Sequence, residues 1–329
     1  MTVVALCSAK GSPGVTTLTC ALGAVWPIGR RVLVAECDPS GGDLAVRFTL
    51  YARRGMTSLV LARRQGAPND TDLASHIQCL PGGLEVLVGP PGAGSASTLD
   101  HEIAKMQGPV FPAEADLIVD CGRIVPGASG QRRLLVEADR LLVLARPDAS
   151  GLANARWAID RMRELDRAAV TSLILVGEGP FSAREASVDL GTDVLEVVPS
   201  DSRGAGVACG VPGKTRVFAR SPLVTSARRI AQRIVLPQSE RAGVDEVPRR
   251  VGPEHGVFEF VSTDQPARSA VLEATQFLQD TGVGTFTDGR VDDEVSQTIS
   301  RHTVADRNGS GLPYECMHYD AQQKDSDAP

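Results

Sequence analysis

The sequence predicts an α/β protein: a doubly wound, mainly parallel sheet with helices on both faces, plus a C-terminal appendage. Short continuous apolar runs recur over the first 237 residues, helical patterns separate them, and aromatic residues make up only 4% of the chain. Continuous apolar runs are typical of strands buried on both faces, and strands that alternate with helices form βαβ units. A core poor in aromatics relies on Val, Leu, Ile and Ala, which suits parallel strands covered by helices.

Each predicted element has its own pattern. Apolar runs that we interpret as strands occupy residues 2–7, 31–37, 116–121, 140–145, 172–177 and 194–199. Two short extended runs lie within residues 76–89, around the turn-forming Pro81-Gly82-Gly83. Helical spacing of apolar residues is clearest over residues 16–26, 149–165 and 222–236, and Pro237 follows the last of these.

A change in composition predicts a domain boundary at Pro237. Residues 238–329 carry 17 acidic and 8 basic side chains, a net charge of −9, whereas residues 1–237 carry 23 acidic and 26 basic, a net of +3. The acidic segment is rich in Gly, Pro, Asp, Gln and Ser. Helical patterns are present only over residues 267–282 and 290–304. We therefore predict a folded domain over 1–237 and an acidic, partly helical and partly disordered tail over 238–329.

Composition also narrows the functional classes. The net charge of −6 disfavours a general polyanion binder. The seven cysteines include no C-x-x-C pair, and four of them lie in or beside apolar runs, as buried free thiols of a reducing compartment do. The first apolar run is too short for a signal peptide, and no run has the length of a membrane span. We expect a cytoplasmic protein that is at most peripheral to a membrane.

The segment LCSAKGSPGVTTLT, residues 6–19, carries the clearest chemistry. It follows a predicted strand and opens a predicted helix, which is the setting of a phosphate-binding loop. Glycines let the backbone approach phosphates closely, and the amides at the helix N-terminus attract negative charge. A hydroxyl at the start of the helix is suited to bind Mg²⁺.

This segment resembles the phosphate loop of the ParA/MinD family of deviant Walker A ATPases, K-G-G-x-G-K-T-T. The chain reads K-G-S-P-G-V-T-T, so that the residues falling on the family's nucleotide-binding positions are Lys10, Gly11, Ser12, Gly14, Val15, Thr16 and Thr17. The resemblance implies that Lys10 is the early signature lysine, which acts across a dimer, and that Thr16 binds magnesium. Pro13 removes one amide donor from the loop.

Val15 is the main departure from the family pattern. The lysine that normally stands there contacts the β- and γ-phosphates, and a charge-assisted hydrogen bond of that kind contributes about 1.5–3 kcal/mol. Phosphoryl transfer depends strongly on such charges. The loop is therefore expected to hold ATP weakly, and the chain to be at most a weak ATPase.

Three further segments resemble family motifs in the expected order, and together they extend the resemblance over residues 1–236. In RVLVAECDPSGGDL, Glu36 and Asp38 fall on the two acidic positions, and the resemblance gives Asp38 the attacking water. In DLIVDCG, Asp120 falls on the Walker B aspartate, which holds Mg²⁺ through water, but Cys-Gly-Arg replaces the usual prolines. In VVPSDSRGAGVACGVPG, Pro199 and Asp201 fall on the segment beside the adenine. Within the family, the chain is most similar in type to degenerate members, including CpaE-like pilus-assembly proteins, which also depart from the standard phosphate loop.

The resemblance implies a protein that binds Mg-ATP, forms a homodimer around it, and positions or partitions a cargo, which would be DNA or a polar secretion or pilus machine. A protein partner is then expected. The alternative is a scaffold or regulatory pseudo-ATPase that does not hydrolyse ATP and acts through protein partners. Arginines around the last predicted helix fit either nonspecific DNA binding, as in ParA proteins, or a solvated face; they are Arg216, Arg220, Arg228, Arg229 and Arg233.

Overall fold

The computed structural model describes residues 1–10, 13–27, 29–64, 73–111, 115–164, 170–211, 213 and 215–235. The strands are β1 Val3–Ser8, β2 Val32–Glu36, β3 Gln78–Cys79, β4 Glu85–Leu87, β5 Asp116–Arg123, β6 Arg140–Ala145, β7 Val170–Val176 and β8 Val194–Val198. The helices are α1 Val15–Ala24, α2 Leu44–Arg47, α3 Met56–Arg64, α4 Ala93–Lys105, α5 Ser129–Glu137, α6 Ala149–Arg163, α7 Ala183–Leu190, α8 Ser202–Ala208, α9 Thr215–Ala219 and α10 Pro222–Val235.

The eight strands form one sheet in the order β3-β4-β2-β5-β1-β6-β7-β8. Every neighbouring pair is parallel except β3 and β4, which are antiparallel. The predicted strands are thus confirmed, and the two extended runs around Pro81 form the antiparallel pair at one edge. The fold class predicted from the sequence is confirmed as well.

Helices cover both faces of the sheet. On one face α1 and α10 pack over the strands together with residues of α2, α8 and α9, and Leu6 and Ile118 belong to this core. On the other face residues of α3 to α7 pack over the sheet, and Val119 and Leu141 belong to that core. Because both faces are covered, the central strands are buried on both sides, which explains their continuous apolar runs.

Three predicted helices are confirmed as α1, α6 and α10, whereas the seven other described helices were not predicted as elements. None of the described helices has both the length and the apolar character that crossing a membrane requires. The acidic tail, 238–329, with its predicted helices at 267–282 and 290–304, lies outside the described residues.

Candidate functional site

The carboxyl ends of β1, β2 and β5 lie side by side at the middle of the sheet and lead into the segments that the sequence singled out. Strand order reverses here, since β2 and β6 lie on opposite sides of the central β5–β1 pair. In open α/β sheets, ligands bind outside the carboxyl ends of the strands at such a switch point. The residues that begin α1, end β5 and follow β2 therefore define the candidate site.

The turn into α1 has the backbone form of an anion-binding loop. Gly14 is the N-cap residue of α1 with a φ of 96°, in the left-handed region, and no side chain caps the helix. A glycine is suited to this conformation, and an uncapped helix N-terminus presents free amides. Lys10, just after β1, is exposed. Gly11 and Ser12, which the sequence placed in the same loop, lie outside the described residues.

The first turn of α1 divides its side chains between core and site. Val15 is only 6% exposed and packs in the core beneath α1. The position that carries a lysine in the family is thus turned toward apolar neighbours here. Thr16 and Thr17 are half-buried. The Thr17 hydroxyl lies 3.3 Å from Cys209 Sγ, at the end of α8.

Asp120 is the buried carboxylate of the site. It is 0% exposed, and its Oδ1 accepts a hydrogen bond of 2.9 Å from the Gly122 amide. Among the described groups, Oδ2 has no hydrogen-bond partner. Burial raises the pKa of Asp120 to about 7; the charges of Glu36 and Asp38 also raise it, and the Thr16 hydroxyl and the Gly122 amide lower it. A buried carboxylate with a free oxygen beside a hydroxyl is an arrangement that a divalent cation would complete.

Asp38 lies between β2 and the end of β5. Its Oδ1 accepts a hydrogen bond of 2.7 Å from the Ser40 amide. Burial raises its pKa, while the amides of Ser40 and Arg123 and the charge of Arg123 lower it. A Cβ atom at position 122 would lie 1.9 Å from Asp38 Oδ2, so the carboxyl rests directly on Gly122. The structure therefore brings Asp38 and Asp120 to the same edge of the sheet.

Glu36, the other acidic position after β2, organises the backbone. Its Oε1 accepts hydrogen bonds from the amides of Asp43 and Leu44 at 2.7 and 3.0 Å, and its Oε2 accepts one from Gly89 at 2.9 Å. The side chain is 1% exposed, and burial raises its pKa. Glu36 thus holds the loop that carries Asp38 against the end of β4. The sequence showed this glutamate but not the three amides that it binds.

Pro199 and Asp201 lie at the end of β8, three strands away from β1. Pro199 is exposed. Asp201 is the N-cap residue of α8, accepting from the Gly204 amide at 2.8 Å, and it also accepts from the Leu223 amide of α10 at 3.1 Å. Its carboxylate therefore joins two helix N-termini. The opposite end of α8 lies near Thr17, because Cys209 contacts the Thr17 hydroxyl there.

The predicted basic run is partly neutralised. Arg229 and Arg233 of α10 lie 3.4 and 3.6 Å from the carboxylate of Glu196, a buried residue of β8. Arg220 and Arg228 are exposed. Arg216 lies in α9, and its side chain is outside the described part of the chain. Two of the five arginines thus pair with a carboxylate instead of forming an uninterrupted cationic surface.

Two polar side chains that the sequence did not single out shape the site. Gln131 of α5 is 2% exposed and donates to the carbonyls of Cys121 and Arg123 at 2.6 and 2.7 Å, which fixes the end of β5. Arg47, at the end of α2, donates to Cys209 Sγ at 3.3 Å. The Arg47–Cys209 contact joins residues 162 positions apart in the chain, so no local pattern indicated it.

The sequence matches no protein-family model and no curated protein. Solved structures are nevertheless similar. The cell division ATPase MinD of Pyrococcus furiosus has a TM-score of 0.57 and 17% identity, with 71% of this chain and 98% of that chain covered. A ParA family ATPase from Chlorobium tepidum TLS gives 0.55 and 17%, over 70% and 97%. The septum site-determining protein MinD from Pyrococcus horikoshii OT3, complexed with Mg-ADP, gives 0.55 and 17%, over 74% and 98%. The chain therefore has the fold of MinD and ParA ATPases.

Proposed function

We propose that the chain binds Mg-ATP where β1, β2 and β5 end, and dimerises around the nucleotide to position or partition a cargo. The observation that carries this proposal is Asp120. Its Oδ2 is buried without a partner in the described structure, next to Thr16 and the open N-terminus of α1. Such an oxygen is costly to bury unless a ligand completes it.

The residues present fit Mg²⁺ bound together with a nucleotide. Thr16 supplies a hydroxyl and Asp120 a carboxylate, both of which are oxygen donors that Mg²⁺ prefers. The described residues contain no group of three or more His, Cys, Asp or Glu side chains arranged to hold a metal. Mg²⁺ here would therefore take its remaining ligands from phosphates and water, as it commonly does in nucleotide sites. When bound, it would neutralise phosphate charge.

The protein supplies the anion site through its backbone. Gly14 adopts the left-handed conformation that turns the loop into α1, and the free amides at the start of that helix face an incoming phosphate. Thr17, which contacts Cys209 at the end of α8, lies in the first turn of α1, and Asp38 rests against Gly122 at the end of β5. Asp38 would orient the attacking water, while Pro199 and Asp201 would set α8 beside the base.

Hydrolysis is expected to be slow. Val15 brings no charge to the β- and γ-phosphates and is packed in the core. Loss of one charge-assisted contact corresponds to about 10–100-fold in affinity and as much or more in the rate of phosphoryl transfer. ATP would then act mainly as the ligand that assembles a dimer, with Lys10 reaching the partner's nucleotide, and the dimer would present its surface to a protein partner.

The second candidate is a scaffold without nucleotide, and Val15 is the observation that favours it. In that case Asp120 would be a remnant of an ancestral site, and the sheet domain would bind partners directly. The two functions differ in whether the purified protein binds a nucleotide.

Isothermal titration calorimetry of the full chain with Mg-ATP and Mg-ADP tests the proposal. We expect saturable binding that disappears when Mg²⁺ is chelated and is weakened by Thr16→Ala and Asp120→Asn. Thr98→Ala is a matched control, since Thr98 is an exposed threonine of α4 whose hydroxyl donates to the Gly94 carbonyl of its own helix. No binding heat and no thermal shift at millimolar Mg-ATP would overturn the proposal in favour of the scaffold.

A further inference from the structure

The end of β5 contains a bulge next to the site. From Leu6 to Ser8 β1 advances two residues, while β5 advances three, from Asp120 to Arg123. The extra residue accompanies Gly122, which has a φ of 56°. A bulge of this kind changes the face toward which the following side chain is directed, and bulges are frequent beside active sites.

The bulge places Arg123 on the same face as Asp120. Residues in register in a parallel pair share a face, and successive residues of a strand alternate between faces. Leu6 lies in the core beneath α1 and is in register with Asp120. Ser8, two residues further, lies on that same face and is in register with Arg123. Without the extra residue, Arg123 would share the opposite face with Cys121.

Arg123 is also an exposed cation at the end of β5. Within the part of the chain that the structure describes, its guanidinium makes no hydrogen bond and no ion pair. Arg123 directly follows Gly122, on which the Asp38 carboxyl rests: a Cβ atom at position 122 would lie 1.9 Å from Asp38 Oδ2. Arg47, by contrast, is paired with Asp43 at 2.6 Å.

We propose that Arg123 binds the terminal phosphate of the nucleotide and supplies, within the same subunit, the positive charge that Val15 does not provide. This inference rests on the proposed Mg-ATP site and names a further binding residue in it. A guanidinium is suited to the role because its donors match two phosphate oxygens at once. Its place next to the Gly122–Asp38 contact assigns it to the terminal phosphate, because Asp38 is the residue proposed to orient the attacking water.

The test is calorimetry with Mg-ATP and Mg-ADP on the full chain and three single variants. Arg123→Gln removes the charge, and Arg123→Lys keeps it. Arg161→Gln is the matched control, because Arg161 is an exposed arginine near the end of α6 whose ion pair among the described residues is with Glu164. Thermal unfolding of each variant checks that it is folded. We expect the Arg123 variants to fold, because Arg123 is exposed.

We expect Arg123→Gln to weaken Mg-ATP binding about 10–100-fold and Mg-ADP binding much less, since one charged contact to the outermost phosphate is lost. Arg123→Lys should retain part of the affinity, and Arg161→Gln all of it. Adding Val15→Lys to Arg123→Gln should restore Mg-ATP binding, because the charge returns at the family's own position.

The outcomes separate this inference from the function on which it rests. If the wild type binds Mg-ATP and Arg123→Gln binds it equally well, Arg123 is not a phosphate ligand and the proposed function stands. Equal losses for Mg-ATP and Mg-ADP would overturn the assignment to the terminal phosphate. A wild type that binds neither nucleotide overturns both proposals.

Discussion

The carboxyl group of Asp38 occupies the space where a side chain at position 122 would begin: a Cβ atom built on Gly122 lies 1.9 Å from Asp38 Oδ2 and 2.0 Å from its Cγ. Gly122 also has a φ of 56°, which other residues adopt at a cost. A residue with a side chain at this position would therefore displace Asp38 or unfold the bulge that precedes Arg123.

Gly122→Ala is expected to destabilise the protein for two reasons, the left-handed backbone and the clash with Asp38. Gly127→Ala is the matched control, because Gly127 has a φ of 87° but nothing within 4 Å of the added Cβ. The backbone effect alone is about 1–2 kcal/mol, and the clash should add roughly 1–3 kcal/mol. Thermal unfolding of both variants measures the difference. Equal losses in Tm for the two variants would show that Asp38 can move aside without a cost in stability.

Asp120→Asn should stabilise the nucleotide-free protein at high pH. The folded-state pKa of Asp120 is raised from 3.8 to about 7, so the folded chain holds this proton more tightly than the unfolded chain does. Stability is therefore lost as the pH rises from about 4 to about 7, and the loss stays constant above that. Asparagine does not ionise, so the variant avoids the loss. Sites shaped for ligands commonly sacrifice stability in this way.

Thermal unfolding at pH 5 and pH 8 without Mg²⁺ or nucleotide tests this expectation. At pH 8 the variant should melt several degrees above the wild type, at about 2–4 °C per kcal/mol, and the gap should narrow at pH 5. Asp189→Asn is the control, since Asp189 is 53% exposed in an ion pair with Arg156 and should matter little at either pH. A gap that does not depend on pH would mean that Asp120 does not ionise in this range.

Residues 1–237 are expected to fold without the acidic tail. Every described strand and helix lies within Val3–Val235, and the last helix, α10, packs against α1 in the core of one face. The shortened protein should be soluble and unfold cooperatively, with a Tm close to that of the full chain. Differential scanning calorimetry of both chains is the measurement. Aggregation, or loss of a cooperative transition, would show that the tail completes the core.

The strands could be predicted because their residues reveal burial on both faces. RLLVLA, for example, is β6 over its whole length, Arg140–Ala145. Several helices could not be predicted, because their first residues have low helix propensity. The helix α4, for example, begins AGSAST, with glycine and serine where strong helix formers would be expected. The start of α7 carries a local signal in the sequence, the capping box formed by Ser182 and Glu185.

The site was predictable only as far as its motifs are local. Resemblance indicated Gly14, Thr16, Asp38 and Asp120, and the sheet brings all four to one edge. The bulge at Gly122 was not predictable, since it depends on how β5 pairs with β1, more than 100 residues away in the chain. The inward packing of Val15 likewise depends on tertiary neighbours.

Val15→Lys should tighten Mg-ATP binding and lower stability. The added ammonium would reach the β- and γ-phosphates, which corresponds to about 10–100-fold in affinity. Val15 is 6% exposed, so its loss from the core should lower stability by roughly 1–2 kcal/mol, with the lysine stem recovering part of the packing. Calorimetric titration and thermal unfolding measure the two effects separately. Unchanged affinity in a folded variant would show that the loop does not approach these phosphates.

Lys10 is the exposed residue for which we predict a role across the dimer. If it reaches the nucleotide of the partner subunit, the dimer is the only state in which a lysine of this loop contacts the phosphates, since Val15 provides none. Lys10→Ala should therefore leave much of the ATP affinity of the monomer but abolish the ATP-induced dimer. Light scattering with and without Mg-ATP distinguishes the two states, and Lys105→Ala, which removes an exposed lysine of α4 (61%), is the control. If Lys10→Ala dimerises at the same Mg-ATP concentrations as the wild type, Lys10 is an ordinary surface lysine. A charge that contributes to the dimer cannot be removed without weakening the dimer.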